Sequence, residues 1–275
     1  MTKIYNYENE NHILDKSIFI LGAFEFIHKG HYELIKKARN FNKPITFLLF
    51  SNPENLPKNN SKAFSDLNSR IQIIANLKID NILIIEFNKK IQNLNPKVFL
   101  NTLIAKGASS FVIGEDFSIG KNYNFQAILN DFPNTTIVKL LNDNYNKKIS
   151  TRILKEKLEN GDFQYLNKYL ISNYLIEISI SFKKEIFFNE NVIDIPNGIY
   201  LTFLIINNKK YYSYIIKNKN NIAEIVIFNF DYEIETIERA YLEIIYNYKH
   251  FNNEVNFDLN QNDLNKIKKL LFDLS

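Results

Sequence analysis

The chain has 275 residues, 45% of them hydrophobic and 23% charged, so it can bury the core of one large or two ordinary domains and is not globally disordered. A net charge of +4 suits an anionic ligand but is too small and too scattered for a duplex nucleic-acid footprint, so no nucleic-acid partner is expected. There is no cysteine, which excludes disulfides, cysteine-ligated zinc and thiol catalysis.

In chain order, residues 1–16 are polar and carry Glu8, Glu10 and Asp15, without the basic start or apolar centre of a signal peptide. Apolar runs such as Ile45–Phe50 are too short to span a bilayer, so a cytoplasmic protein with no membrane partner is expected. Ser17–Leu21 reads as a buried strand ending at Gly22. From His31 to Arg39, Leu34, Ile35 and Ala38 fall on one side and Glu33, Lys36 and Lys37 on the other, which predicts an amphipathic helix. Ile45–Phe50 predicts a second strand closed by Ser51-Asn52-Pro53, and Asp66 or Ser69 caps a helix carrying Ile71, Ile74 and Leu77. Asn81–Phe87 reads as a third strand, Pro96 opens another helix, and Phe111–Gly114 and Thr136–Leu141 read as further strands. This alternation predicts an α/β, Rossmann-like domain, a parallel sheet with helices on both faces and ligands bound beyond the carboxyl ends of its strands.

Ser150 then caps a helix that runs to Asn160 and stops at Gly161, and a second short helix covers Phe163–Leu170. Beyond Ile171 the pattern changes. Ile176–Ile180, Ile199–Ile206, Tyr211–Ile216 and Ala223–Phe230 read as strands, with turns at Asn197-Gly198 and Asn207-Asn208, and predict a small antiparallel β-barrel. Asp263–Leu271 predicts a closing helix. The boundary is placed near Asn173, giving domains 1–172 and 173–275.

With seven glycines and four histidines in the whole chain, their clustering is informative. Gly22 and Gly30 bracket the first strand–helix junction. Gly114 and Gly120 bracket Glu115-Asp116-Phe117-Ser118-Ile119, with Gly107 just ahead, whereas Gly161 and Gly198 are explained by turn chemistry alone. His28 and His31, at i and i+3 on a first helical turn, project to the same side. There they join backbone N–H groups and the positive end of the helix dipole. Such a site holds phosphate with two added donors and suits charge developing on an α-phosphate as pyrophosphate leaves. A metal site is the rival reading, but no third ligand follows and the His-Glu-x-x-His pattern is absent.

Gly22-Ala23-Phe24-Glu25-Phe26-Ile27-His28-Lys29-Gly30-His31 closes on His-x-Gly-His and so is similar to the nucleotidylyltransferase superfamily, a likeness that identifies the reaction but not the acceptor. The longer run resembles the Gly-x-Phe-Asp-Gly-x-His-x-Gly-His opening of bacterial FAD synthetases, with Glu25 for Asp and Phe26 for Gly. Phe50-Ser51-Asn52-Pro53 loosely resembles that family's Phe-x-Pro-His-Pro turn. Gly114-Glu115-Asp116-Phe117-Ser118-Ile119-Gly120 closely resembles its Gly-x-Asp-Phe-x-Phe-Gly. Ile149-Ser150-Thr151-Arg152-Ile153-Leu154-Lys155 aligns with its Ile-Ser-Ser-Thr-x-Ile-Arg, Arg152 replacing Thr and Lys155 replacing Arg, and Leu158-Glu159-Asn160-Gly161-Asp162 continues the match. Lysine keeps the charge but lacks the bidentate fork.

The second half resembles the riboflavin kinase module that follows in the same family, through Ile195-Pro196-Asn197-Gly198-Ile199-Tyr200, Asn256-Phe257 and the closing helix. Its Gly-x-Pro-Thr-Ala-Asn motif is missing, because the stretch Ile178–Glu185 has no Gly, Pro or Thr. In the family that motif holds the ATP phosphates and magnesium, and without it phosphoryl transfer loses its positioning and charge stabilisation. Glu224 matches the kinase base, although a lone Glu opening a strand also reads as a solvated edge.

The resemblance implies FMN adenylyltransfer, in which ATP and FMN give FAD and pyrophosphate by direct attack, together with a barrel that has lost its kinase activity. It implies that His28 and His31 stabilise the triphosphate, that Gly22, Ala23, Phe24, Ser150, Thr151, Arg152 and Lys155 complete the ATP site, and that Asn52, Asp116 and Phe117 line the FMN side. Magnesium would enter with ATP, with Asp116 its one candidate protein ligand. A bifunctional kinase and adenylyltransferase, a nucleotidylyltransferase with another acceptor, and a non-catalytic flavin-binding protein are the alternatives. The barrel is left to bind flavin, support the transferase domain or assemble a homo-oligomer. Asp66 and Arg70 read as a helix-surface ion pair, although the family has a matching Arg; Tyr211–Tyr214 reads as barrel wall and Asp231–Glu238 as a solvated acidic stretch. His250 receives no role.

Overall fold

The computed structural model of the chain describes residues 1–9, 14–57, 59, 61–120, 122–139, 151–218, 223–229, 235–251 and 259–274. It divides into two compact units, residues 1–63 with 70–149, and residues 64–69 with 150–275. The elements, in chain order, are β1 (Lys3–Asn6), β2 (Ser17–Ile20), α1 (Lys29–Arg39), β3 (Ile45–Phe50), α2 (Leu67–Asn76), β4 (Asn81–Ile85), α3 (Lys89–Asn93), α4 (Pro96–Ala105), β5 (Ala108–Gly114), β6 (Ser118–Ile119), β7 (Tyr123–Asn124), α5 (Phe125–Asp131) and β8 (Thr136–Val138). After these come α6 (Thr151–Glu159), α7 (Phe163–Tyr169), β9 (Tyr174–Ile180), β10 (Glu185–Phe188), β11 (Gly198–Ile206), β12 (Lys209–Lys217), β13 (Ala223–Ile227), β14 (Ile237–His250) and α8 (Gln261–Asp273).

In the first unit, six strands form one sheet in the order β1-β4-β3-β2-β5-β8, with every pairing parallel. Helices cover both faces, so β2 is buried at all four of its residues and reads as a near-continuous apolar run rather than an alternation. Phe19, Leu21, Phe111 and Ile113 enter one core with Leu100 and Leu103 of α4. Alternation leaves Ile18, Ile20 and Val112 for the other face, and α1 packs on β2 and β5 with Leu34, Ile35 and Ala38 buried. The chain runs outward from β2 through β3 and β4 on one side and continues through β5 and β8 on the other. The topological switch therefore lies between β2 and β5.

In the second unit, β10-β13-β12-β11-β14-β9 close into an antiparallel barrel. The β11–β12 hairpin turns on Asn207 and Asn208, both at positive φ (50° and 63°), as a two-residue turn of the twist-matched type requires. Ile199, Leu201, Tyr214 and Ile245 pack under Ile267 and Leu271 of α8, while Thr202 and Ser213 pair their hydroxyls at 2.8 Å between strands. Helices α6 and α7 belong to this unit, so the division at 149/150 differs from the boundary expected near Asn173 by these two helices. The short segment 64–69 also belongs here: Tyr174 donates to the Phe64 carbonyl, and the amides of Ser69 and Glu177 donate to Asp66.

Strands β1, β10 and β14 extend the sequence reading. The longest, β14, carries Glu238, Arg239, Glu243 and Lys249 among its apolar residues and has no clean period of two, yet it is paired on both sides by β9 and β11. Its tertiary pairing overrides a weak local pattern. Helix α1 starts two residues earlier than the pattern suggested, because His28 itself is the N-cap. Leu141, Ser150, Asn256, Phe257 and Asp231, which figured in the sequence reading, lie outside the described residues.

Candidate active site

The segment from Gly22 to His31 leaves the carboxyl end of β2 and enters α1. Two close approaches shape it. A Cβ on Gly22 would lie 2.6 Å from the Phe24 ring, and a Cβ on Gly30 would lie 2.7 Å from Cε1 of His28, so both rings fold over backbone that only glycine leaves open. Between them Phe24 takes φ +40°, an uncommon conformation for a residue with a side chain.

His28 caps α1. The His31 amide donates to His28 Nδ1 at 3.2 Å, and the His28 amide donates to His31 Nδ1 at 3.4 Å, a reciprocal capping box built from two imidazoles. Because each Nδ1 accepts an amide hydrogen, the neutral rings carry their proton on Nε2, and Nε2–H becomes the donor each can offer to an anion. The rings stack with centroids 3.6 Å apart and planes 17° from parallel. Phe24 meets His31 edge-on at 4.9 Å, while Phe26 lies 5.5 Å from His28 and 6.3 Å from His31. Phe26, one of the two departures from the family pattern, is thus part of the histidine platform, and Glu25, the other, is buried at 2% exposure. His28 is 6% exposed and His31 half-buried, so His31 presents the more open ring. Lys36, Lys37 and Arg39 in the last turn of α1 complement its dipole and leave the positive end at the histidines.

The second motif leaves the neighbouring strand. β2 pairs with β5 in register Ile20↔Val112, and the Leu21 amide donates to the Val112 carbonyl at 3.2 Å. The pairing therefore continues to the foot of the Gly22 turn. Beyond Gly114 the chain turns, with the Phe117 amide donating to the Gly114 carbonyl at 3.1 Å, and enters the β6–β7 hairpin. Asp116 is exposed at this turn, whereas Phe117 is half-buried against the sheet core beside Ile119 and Tyr123. The hairpin is held from below: the Tyr123 hydroxyl donates to Asp131 at 2.6 Å, and Lys97 meets the same carboxylate at 2.8 Å. Lys97 and the tyrosine hydroxyl hold Asp131 below the usual carboxylate range, and burial followed by the Asp131 bond pushes Tyr123 up.

Asn52 follows β3. Its amide oxygen accepts from the Phe87 amide at 2.7 Å and its amide nitrogen donates to the Phe87 carbonyl at 3.0 Å, so it ties the ends of β3 and β4 together. Thr151, Arg152 and Lys155 lie on the first turns of α6 in the second unit, with Arg152 exposed and Thr151 and Lys155 half-buried; Ser150 is outside the described residues. Glu224 lies on the outer face of β13, opposite Glu185 across the strand pair, while its neighbours Ala223 and Ile225 turn inward. His250 meets Asn247 at 3.2 Å. Asp66 and Arg70 are not on a helix surface: both are buried, Arg70 at 0% exposure. Helical periodicity gives no signal of such burial, and the matching Arg of the family is the one pointer to it.

Among the described residues no three His, Asp or Glu side chains gather into a metal site, and no helix is long and apolar enough to cross a membrane.

The sequence model of the FAD synthetase family matches residues 10–150 of this chain. Bifunctional riboflavin kinase/FMN adenylyltransferases are similar to it: that of Bacillus subtilis is 27% identical over 59% of this chain and 55% of its own length, and that of Haemophilus influenzae 25% over 64% and 62%. That of Buchnera aphidicola is 33% identical over 44% of this chain and 41% of its own length. The matched part thus spans about half the length of these relatives. The crystal structure of a macrolide-efflux protein from Streptococcus pneumoniae has a similar fold, with a TM-score of 0.78 at 18% identity over 100% of this chain and 98% of that one. With its histidine turn and Gly114–Gly120 turn both inside the matched residues, which make up just over half of it, the chain belongs to the FAD synthetase family.

Proposed function

We propose that this chain transfers the adenylyl group of ATP to FMN, releasing pyrophosphate. One observation carries the reading: the β2–β5 pairing puts the histidine turn and the Gly114–Gly120 turn at adjoining strand ends, at the switch point of a parallel sheet. Phosphate chemistry belongs at the first turn, where Nε2–H donors and the α1 N-terminus favour negative charge. The acceptor belongs at the second.

The FMN phosphate attacks the α-phosphorus of ATP directly, and the bond to the pyrophosphate oxygen breaks. Charge that builds on the phosphoryl oxygens is met by His31 and His28, fixed in place by the capping box and therefore needing no reorganisation during the reaction. Gly22, Ala23 and Phe24 form the turn that would carry the triphosphate, with Gly22 accommodating the Phe24 ring. Asn52 shapes the acceptor loop by tying it to Phe87. Asp116, exposed at the turn after Gly114, would hold magnesium entering with the triphosphate, and the ion would there neutralise part of the phosphate charge. An enzyme fed by ATP and FMN belongs in the cytoplasm.

The barrel is read as a kinase module without kinase activity, supported by the missing phosphate motif in Ile178–Glu185 and the outward Glu224. The closed barrel favours a second reading, in which it still phosphorylates riboflavin. Incubation with MgATP and either FMN or riboflavin, resolved by chromatography, tests both readings. FAD from FMN and no product from riboflavin is expected. No flavin product from FMN would overturn the first reading, and FMN from riboflavin would establish the second.

A further inference from the structure

Arg70 is a cation with no exposed surface, and it lies inside the first unit where nothing assigned so far explains it. Long charged side chains are almost never fully buried unless their charge is satisfied in place. Its Nη1 donates to two carbonyls, that of Phe50 at 2.9 Å and that of Phe24 at 3.4 Å. Phe50 is the last residue of β3, immediately before the Ser51-Asn52-Pro53 turn. Phe24 is the positive-φ residue of the histidine turn. One guanidinium nitrogen thus spans the carboxyl ends of two neighbouring strands.

What Phe24 does makes the link consequential. Its ring fills the space over Gly22, packs on Phe47 at 4.5 Å and meets His31 edge-on at 4.9 Å. A residue held at φ +40° relaxes unless its surroundings fix it. The shorter bond to Phe50 anchors the guanidinium on the sheet, and the longer reach to Phe24 restrains the turn. We infer that Arg70 is a positioning residue for nucleotidyl transfer: by holding the Phe24 carbonyl it fixes the ring against which His31 is oriented.

The inference rests on the transfer reading for its kinetic consequence but not for its geometric one, so the two can fail separately. The variants are Arg70→Met and, as control, Lys106→Met. Lys106 is another buried cation of the same unit; it donates to the Asn9 carbonyl and lies at the amino end of β5, away from the histidine turn. Both variants lose a buried charge, so a purely structural role would affect both alike.

Two readouts are taken below both melting temperatures: steady-state FAD formation, and the imidazole proton shifts of His31 in the full chain, assigned with His31→Gln. Arg70→Met is expected to lower kcat by about 10-fold or more, because small misplacements of reacting groups are costly. It should also move the His31 resonances through the altered Phe24 ring current, whereas Lys106→Met changes kcat less than about two-fold and leaves them in place. Should Arg70→Met not fold, Arg70→Lys gives the same readouts, since an ammonium keeps the charge without the planar guanidinium geometry. Unmoved His31 shifts with kcat near wild type, or equal effects in the Arg70 and Lys106 variants, would overturn the inference. Shifted His31 resonances in a chain that makes no FAD would uphold the positioning and sink the substrate reading.

Discussion

The carboxyl end of the parallel sheet and the wall of the barrel use polar residues in opposite ways. At the sheet's end, backbone at positive φ, two stacked imidazoles, a buried glutamate and a fully buried arginine gather around one turn. In the barrel unit the polar groups close on one another: Thr202 with Ser213 between β11 and β12, Tyr200 with the Pro196 carbonyl, Lys217 with Asp194 at 3.1 Å. The carboxylate that the kinase reading would need, Glu224, faces outward opposite another carboxylate. Strain and buried polarity that converge on one half-buried ring are features of a working site, and polar groups that satisfy one another are features of a scaffold.

The largest effect should come from His31, the more open of the two rings. His31→Ala removes a donor aimed at the phosphates and is expected to cost about 100-fold or more in FAD formation. It also removes one arm of the capping box, so a stability loss of about 1 kcal/mol is expected, with the fold kept in circular dichroism. Turnover like wild type in that variant would remove the distinction between the two regions.

Gly30→Ala sharpens the comparison. The added methyl would meet the His28 ring, forcing it out of the stack and away from the His31 amide. A fall in kcat/KM between about 10- and 100-fold is expected, smaller than for His31→Ala because both imidazoles remain. Glu224→Gln addresses the barrel: FAD formation should stay within about two-fold, and melting temperature should rise slightly as a like-charge cross-strand pair is relieved.

The smallest effect is expected at Asp131→Asn, which loosens the hairpin after the acceptor turn. The folded-state pKa of Asp131 is lowered, first by Lys97, so its contribution is present above the ordinary carboxylate value of 3.8 and fades as pH falls through the lowered one. Thermal melts of wild type and variant should therefore differ slightly near neutral pH and converge in strong acid.

Much of this was legible in the sequence because the features are local. Ile45–Phe50 and the β2 run are short strands with one hydroxyl residue each and otherwise apolar, and His-x-Gly-His signals its chemistry within four residues. What escaped depends on pairing across long separations. Strand β14 is fixed by partners on β9 and β11 rather than by its own pattern, and Asn52 is engaged by Phe87, 35 residues away. The role of Arg70 is set by carbonyls 20 and 46 residues distant, and its helix pattern matches that of any surface arginine. The adjacency of the two turns was expected only from the fold class, and the β2–β5 register supplies it.

The most direct test of the account follows the α-phosphate. Wild-type chain incubated with FMN, magnesium and ATP labelled at the α-phosphorus should move the label into FAD, with one pyrophosphate released for each FAD formed. Label that stays in ATP or appears in AMP without entering flavin, while FMN is present and the chain is folded, would contradict adenylyl transfer to FMN at the His28–His31 turn.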